Sequence, residues 1–175
     1  WHRTDPVSLE SLLLLPGAWC DQVAAVTVPL QILLGVVTVY LVYRVAETLT
    51  GNERIAFFAS LGYACEPLAI IYTARLLSET LFAAILMCSL LVLLRYDRRP
   101  SWHAAAVAGG LIAAAAFVRP VAYYLPLIIT TWAVIAAFLD KSERRRRLVH
   151  AAVMFVAAAV PLFAWHVRND VRAGY

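Results

Sequence analysis

The chain has 175 residues, 63% of them apolar and only 15% charged, with 15 Lys and Arg against 11 Asp and Glu, a net charge of +4 and a mean hydropathy of +0.76. Soluble domains are roughly half apolar and a quarter charged, so this composition excludes water as the main solvent and with it a soluble nucleotide-sugar enzyme. The positive balance does not point to nucleic acid either, because the arginines gather in short connectors between long charge-free runs, where membrane orientation accounts for them.

In chain order, the sequence opens on Trp1, holds methionine only at Met87 and Met154, and closes on the polar Arg172-Ala173-Gly174-Tyr175, so it reads as an internal piece of a longer protein. Trp1 to Glu10 lacks the basic start and directly following apolar run of a signal peptide. Residues 1–22 set Leu12-Leu13-Leu14-Leu15 beside Pro16-Gly17, which suits an extracytoplasmic loop or an interfacial helix better than a span. Val23 to Tyr43 is 21 residues without a charge, about 32 Å as a helix against a hydrocarbon core of about 30 Å, and is the first predicted span. Gly51-Asn52 marks a turn, and the second span, 55–74, is interrupted at Glu66-Pro67, where it kinks or ends early. Ser78 is placed to cap the third span, 78–95, with Glu79 at the positive end of its dipole. That span stops at Arg95-Tyr96-Asp97-Arg98-Arg99-Pro100.

The fourth span, 101–118, contains the small-residue stretch Ala104-Ala105-Ala106-Val107-Ala108-Gly109-Gly110, a face that packs on protein rather than lipid. Arg119-Pro120 is a sharp break before the fifth span, 121–139, and Asp140 to Arg147 is a connector with Lys141 and four consecutive arginines. The sixth span is 148–167. No repeat at a fixed period is visible. The predicted fold is therefore an all-α polytopic transmembrane bundle of about six spans, with 23–169 as the membrane domain and 170–175 as the start of an extracytoplasmic loop.

Connectors one, three and five carry Arg44, Arg54, Arg95, Arg98, Arg99, Lys141 and Arg144 to Arg147, ten positive residues; the other side has Arg3, Arg75, Arg119, Arg168 and Arg172, five. The positive-inside tendency assigns the richer side to the cytoplasm and both ends of the chain to the outer side. That tendency gives no reason for the outer arginines. Arg75, Arg119 and Arg168 each stand where a helix meets the outer interface. An arginine there can simply snorkel to lipid phosphate. Three at successive outer turns can also converge as a cationic cluster, whose planar donor forks suit the phosphate or pyrophosphate head of a lipid carrier.

Glu79 can bind a metal, orient an acceptor, or cap its helix while pairing with Arg75 at i, i−4. Glu66 beside the broken helix marks a cavity or the interface and is not counted in the site. His103 and His150 read as solvated or snorkelling histidines near the cytoplasmic ends of spans, and His166 lacks a partner at H-x-x-x-H spacing. Tyr72, Tyr123, Tyr124 and Trp165 fit an aromatic belt, with sugar stacking as the alternative. Cys20, Cys65 and Cys88 are odd in number and show no C-x-x-C spacing, so neither a disulfide framework nor a zinc site is indicated. No Ser/His/Asp set or phosphate-cradling glycine loop is present.

The stretch Gln31 to Gly51, the element Pro67 to Leu81, the Gly109-Gly110 to Val118-Arg119-Pro120 segment and the closing Pro161 to Asn169 together resemble the polyprenyl-phosphate-dependent membrane glycosyltransferases of the GT-C superfamily. The similarity is to the group containing dolichyl-phosphate-mannose protein mannosyltransferases and the bacterial aminoarabinose transferases of lipid A, glycosyltransferase family 39-like, and it runs from about residue 23 to 175. The motifs are short, and their order carries more weight than any one of them. The resemblance implies an integral, multi-pass protein of the plasma (inner) membrane that takes a sugar from a polyprenyl-phosphate-linked donor. The acceptor is a protein, lipid or glycan on the extracytoplasmic side. It places Glu79 at the family's acidic position at the head of a span, and Arg75, Arg119 and Arg168 toward the donor phosphate. No cofactor is indicated beyond that lipid-linked substrate, and a divalent metal is left open.

The family's catalytic acidic residue lies in a first outer loop upstream, and Arg3-Thr4-Asp5-Pro6 does not reproduce its acidic pair, so the catalytic residue is unassigned and the segment alone is expected to be inactive. Two other classes stay open: a transporter or lipid flippase with a midplane site at Glu66-Pro67, and a noncatalytic membrane subunit, in which the outer arginines would point apart into lipid.

Overall fold

The computed structural model describes residues 23–67, 77–139 and 143–173. Within them the chain forms α1 (Val23–Thr50), α2 (Glu53–Ala64), α3 (Leu77–Arg98), α4 (Trp102–Val118), a 3-10 turn (Pro120–Tyr124), α5 (Leu125–Leu139) and α6 (Arg144–Ala173). Among the described residues, four segments are long and apolar enough to cross a membrane: Val28–Thr50, Ser78–Arg98, Pro120–Leu139 and Arg144–Asn169, with Trp102–Val118 as a shorter apolar helix. The all-helical, multi-pass membrane architecture is the one the hydropathy pattern predicts. Residues 1–22 and 68–76, with Tyr72, Arg75 and the end of the 55–74 span, lie outside the described residues.

The helices outrun their apolar runs. α1 continues past Tyr43 to Thr50, because Arg44 and Glu47 pair one turn apart at 3.2 Å, and Thr48 and Thr50 return their hydroxyls to the carbonyls of Arg44 and Ala46 at 2.6 and 2.8 Å. Deeper in, Thr38 is fully buried and satisfies its hydroxyl on the Leu34 carbonyl at 2.7 Å, which makes a polar side chain tolerable in an apolar interior. Gly51, at φ +66, ends the helix in the left-handed conformation that other residues adopt only at a cost. Asn52 then caps α2 by accepting the Arg54 N–H at 2.9 Å. α2 stops at Ala64, short of Glu66-Pro67.

Ser78 lies inside the first turn of α3 and does not cap it, since the helix already includes Leu77. Ser101 is the N-cap of α4, accepting the Ala104 N–H at 3.2 Å. Arg119 ends that helix in an extended conformation (φ −138, ψ 126), as the residue before a proline prefers. The chain then restarts through the 3-10 turn with Pro120 at its first position. The four arginines 144–147 are the first turn of α6 and not part of a connector, and α6 runs on to Ala173, into the expected 170–175 loop start.

Adjacent pairs order the helices as a row: α2 on α1, α1 on α3, α3 on α4, α4 on α6, α6 on α5. α4, central in that row, is the best-buried helix. Ala105, Ala108 and Ala115 are fully inaccessible, and Ile112, Ala113 and Ala116 nearly so. Its close contact is at Gly109, where an added Cβ would stand 2.3 Å from the Met154 carbonyl oxygen and 2.9 Å from the Ala157 Cβ of α6, whereas Gly110 faces open space. The small-residue stretch thus packs on protein through one of its two glycines. Large apolar side chains on the outside of α1 and α5, such as Ile32, Val36, Leu127 and Ile135, are exposed as lipid contact requires.

Leu41, Val45 and Leu91 share a cluster, Leu93 and Tyr96 share one with Ala105, Ala108 and Met154, and Phe117 meets Trp165. These contacts make α1 and α3 run the same way, with α4 and α6 parallel to each other and opposite to them. Two ends follow. At one, Arg98 donates to the Thr48 carbonyl, Arg147 stands 3.9 Å from Asp97, Arg146 pairs with Glu143, and Arg144 lies 4.0 Å over the Phe138 ring. This is the arginine-rich end. His150, expected to be solvated there, is instead buried one turn further in, with its ring 5.8 Å from that of Tyr96. The opposite end holds the start of α3, the end of α4, the 3-10 turn and the last turns of α6.

Candidate functional site

At that second end, the start of α3 and the end of α4 bring distant residues together. Glu79 stands in the first turn of α3, where a carboxylate meets the positive end of the helix dipole. Arg119 is the C-cap of α4, held there by the extended backbone that Pro120 imposes. Because α3 and α4 form an antiparallel hairpin, these residues, 40 apart in sequence, meet: the Arg119 Nη2 donates to the Glu79 Oε1. The pair is half-buried, with 39% of the Arg119 side chain and 23% of Glu79 exposed. The Arg119 guanidinium also lies 5.8 Å from the centroid of the Phe82 ring, one turn further along α3. Phe82 packs with Ile85, Leu125 and Leu162 against the buried Ala115, Ala116 and Ala122, so the ion pair rests on a fixed apolar floor.

Arg168 reaches the same end from α6. Its guanidinium lies 5.4 Å from the centroid of the Trp165 ring, one turn back on the same helix. Trp165 in turn meets the Phe117 ring edge to face at 5.5 Å. Phe117 is two residues before Arg119, so a chain of ring contacts joins Arg168 to the helix end that bears Arg119.

Of the four residues singled out from the sequence, the structure pairs Glu79 with Arg119 directly, brings Arg168 to the same end through Trp165, and leaves Arg75 outside the described residues. Glu79 pairs across the hairpin with Arg119, and its alternative pairing with Arg75 lies outside the described residues. Phe82 and Phe117 carry no signal of their own in the sequence, and Trp165 reads there as a membrane-belt residue. The spacing of Trp165 and Arg168, one helical turn apart, is the signal that such a contact exists.

Chemically, Arg119 has five N–H donors and spends one of them on Glu79, which leaves the remainder of its fork for an anion. Arg168 adds a second cation, and the exposed Tyr124 and half-exposed Tyr123 on the 3-10 turn add hydroxyls at the same end. Among the described residues no three His, Cys, Asp or Glu side chains are grouped to hold a metal ion.

Comparison with known proteins gives the family. No curated protein and no solved structure matches the chain. The family model described as dolichyl-phosphate-mannose-protein mannosyltransferase matches residues 21–165, from just before α1 to the ring-stacking Trp165 in α6. The chain belongs to that family, the membrane glycosyltransferases of the GT-C kind.

Proposed function

We propose that this chain holds the phosphate of a polyprenyl-phosphate-linked sugar donor on the extracytoplasmic face of the plasma (inner) membrane, within a glycosyltransferase that passes the sugar to a protein, lipid or glycan hydroxyl. The observation that carries the reading is the Glu79–Arg119 pair, with Arg168 at the same end of the bundle and the arginine-rich turns at the other. The positive-inside tendency puts the arginine-rich end in the cytoplasm, and the paired end therefore outside. A midplane carrier site is disfavoured because these charges sit at a helix end and not halfway along the bundle.

In the reaction, the acceptor oxygen attacks the anomeric carbon, the bond from that carbon to the phosphate oxygen breaks, and the electron pair leaves with the polyprenyl phosphate. The acceptor proton goes to a carboxylate upstream of this segment, with inversion at the sugar. Negative charge grows on the phosphate as the bond breaks, and fixed guanidinium donors aimed there lower the barrier. Arg119 takes that role first, because Glu79, Phe82 and its own helix end set its position before substrate arrives. Arg168 and Arg75 are assigned to the same phosphate. The Glu79 carboxylate orients Arg119.

The test uses the full-length protein and Arg119→Ala. Transfer from a lipid-linked donor falls by roughly 100-fold or more in kcat, the size of effect seen when one charge-stabilising donor is removed, while the protein inserts and extracts normally. Unchanged transfer would overturn the assignment.

A further inference from the structure

The Arg168 side chain is exposed, stands on the last turns of a 30-residue helix, and pairs with no carboxylate among the described residues. A long, exposed cation at a helix end ordinarily samples many rotamers and binds an anion only by giving that freedom up. Here the guanidinium is held in a cation–π contact, 5.4 Å from the centroid of the Trp165 indole. The indole is itself half-buried, with Phe117 of α4 against it at 5.5 Å. Phe117 belongs to the turn that ends at Arg119. α4 cannot drift from α6 at this level, because Gly109 places the two backbones in contact two turns below.

We propose that Trp165 is a positioning residue that holds Arg168 in place at the outer end of α6 to bind phosphate, instead of leaving it a free lipid anchor. The inference rests on the reading that Arg119 and Arg168 hold the donor phosphate. Trp165 itself touches no reacting atom; it acts through Arg168. A ring that served only as a belt residue would need neither the arginine nor the phenylalanine against it. A ring that stacked on the sugar would contribute independently of Arg168.

The experiment measures binding of a short-chain polyprenyl phosphate, the common leaving group whatever the sugar or acceptor, to the purified full-length protein in detergent. Arg168→Ala, Trp165→Ala, Trp165→Phe and the double variant Trp165→Ala/Arg168→Ala are compared with the parent. Arg168→Ala weakens binding by about tenfold, the scale of one charge-assisted phosphate contact. Trp165→Ala weakens it by about fivefold, as expected when a cation–π contact that holds the arginine is lost. Trp165→Phe, which keeps an aromatic face, stays within about twofold of the parent.

The double variant is the deciding one. It binds no worse than Arg168→Ala alone, because Trp165 has nothing left to position. If the two losses multiply instead, Trp165 acts on the ligand or on the fold, and the positioning role is wrong while the phosphate site stands. If Arg168→Ala binds like the parent, the phosphate assignment of Arg168 fails first. Trp165→Phe guards against a variant that misfolds: a fivefold loss there, with unchanged thermal stability, also overturns the proposal.

Discussion

Gly109→Ala tests the packing that sets the whole site. The new Cβ would sit 2.3 Å from the Met154 carbonyl oxygen, 3.1 Å from its carbonyl carbon and 2.9 Å from the Ala157 Cβ. Two of those three neighbours are backbone, so no rotamer change relieves the contact. To restore an ordinary separation of 3.4 Å, α4 and α6 must part by about 1 Å. Overpacking of this kind costs about 1–3 kcal/mol, against which the better helix propensity of alanine returns at most about 1 kcal/mol. Gly110→Ala is the internal control, since it gains the same propensity and meets nothing within 4 Å. Thermal unfolding of the full-length protein in detergent should therefore give a Tm several degrees lower for Gly109→Ala than for Gly110→Ala, and Gly110→Ala at or above the parent. Equal midpoints for the two variants would refute the claim that α4 and α6 meet at Gly109.

Four further outcomes are expected. Ser101→Ala removes the oxygen that accepts the Ala104 N–H and should lower stability by about 1 kcal/mol, read by the same unfolding assay. Gly51→Ala forces a side chain into φ +66 and should cost about 1 kcal/mol or more, with no effect on donor binding, because the turn lies at the arginine-rich end. Glu79→Gln should change stability by less than about 1 kcal/mol, since the pair with Arg119 is partly solvated, yet it should lower kcat by loosening Arg119. Exchanging the charges, Glu79→Arg with Arg119→Glu, should restore expression relative to either single reversal but not transfer, because the cation is then no longer at the α4 end.

The spans are legible in the sequence because a charge-free run of about 20 residues matches the thickness of a bilayer and little else in a folded protein. Their ends are not. α1 and α6 carry charged turns beyond the apolar run, and nothing in a hydropathy pattern says that Arg44 and Glu47, or Arg146 and Glu143, will pair and keep the helix wound. The Arg119-Pro120 break is visible because proline restricts its predecessor, and the structure turns it into the C-cap that aims Arg119. The identity of the Glu79 partner is not visible. The sequence spacing offers Arg75 four residues before Glu79, and only the antiparallel docking of α3 on α4 brings in Arg119. The two adjacent glycines are likewise equivalent in sequence, and the rotation of α4 about its axis decides that Gly109 takes the contact. His150 misleads for the same reason: a histidine near a charged turn looks solvated until the face it occupies is known.

The central claim is that Glu79, Arg119 and Arg168 share one extracytoplasmic end that binds lipid phosphate. It is tested most directly by thiol accessibility in a background with Cys20, Cys65 and Cys88 replaced by serine, using Tyr124→Cys and His166→Cys as reporters beside the intact arginines and Arg99→Cys and Arg145→Cys at the other end. A membrane-impermeant reagent applied to intact cells should label positions 124 and 166 but not 99 and 145, and added polyprenyl phosphate should slow the labelling of both reporters in membranes. Labelling of 124 and 166 from opposite faces, or rates indifferent to polyprenyl phosphate, would contradict it.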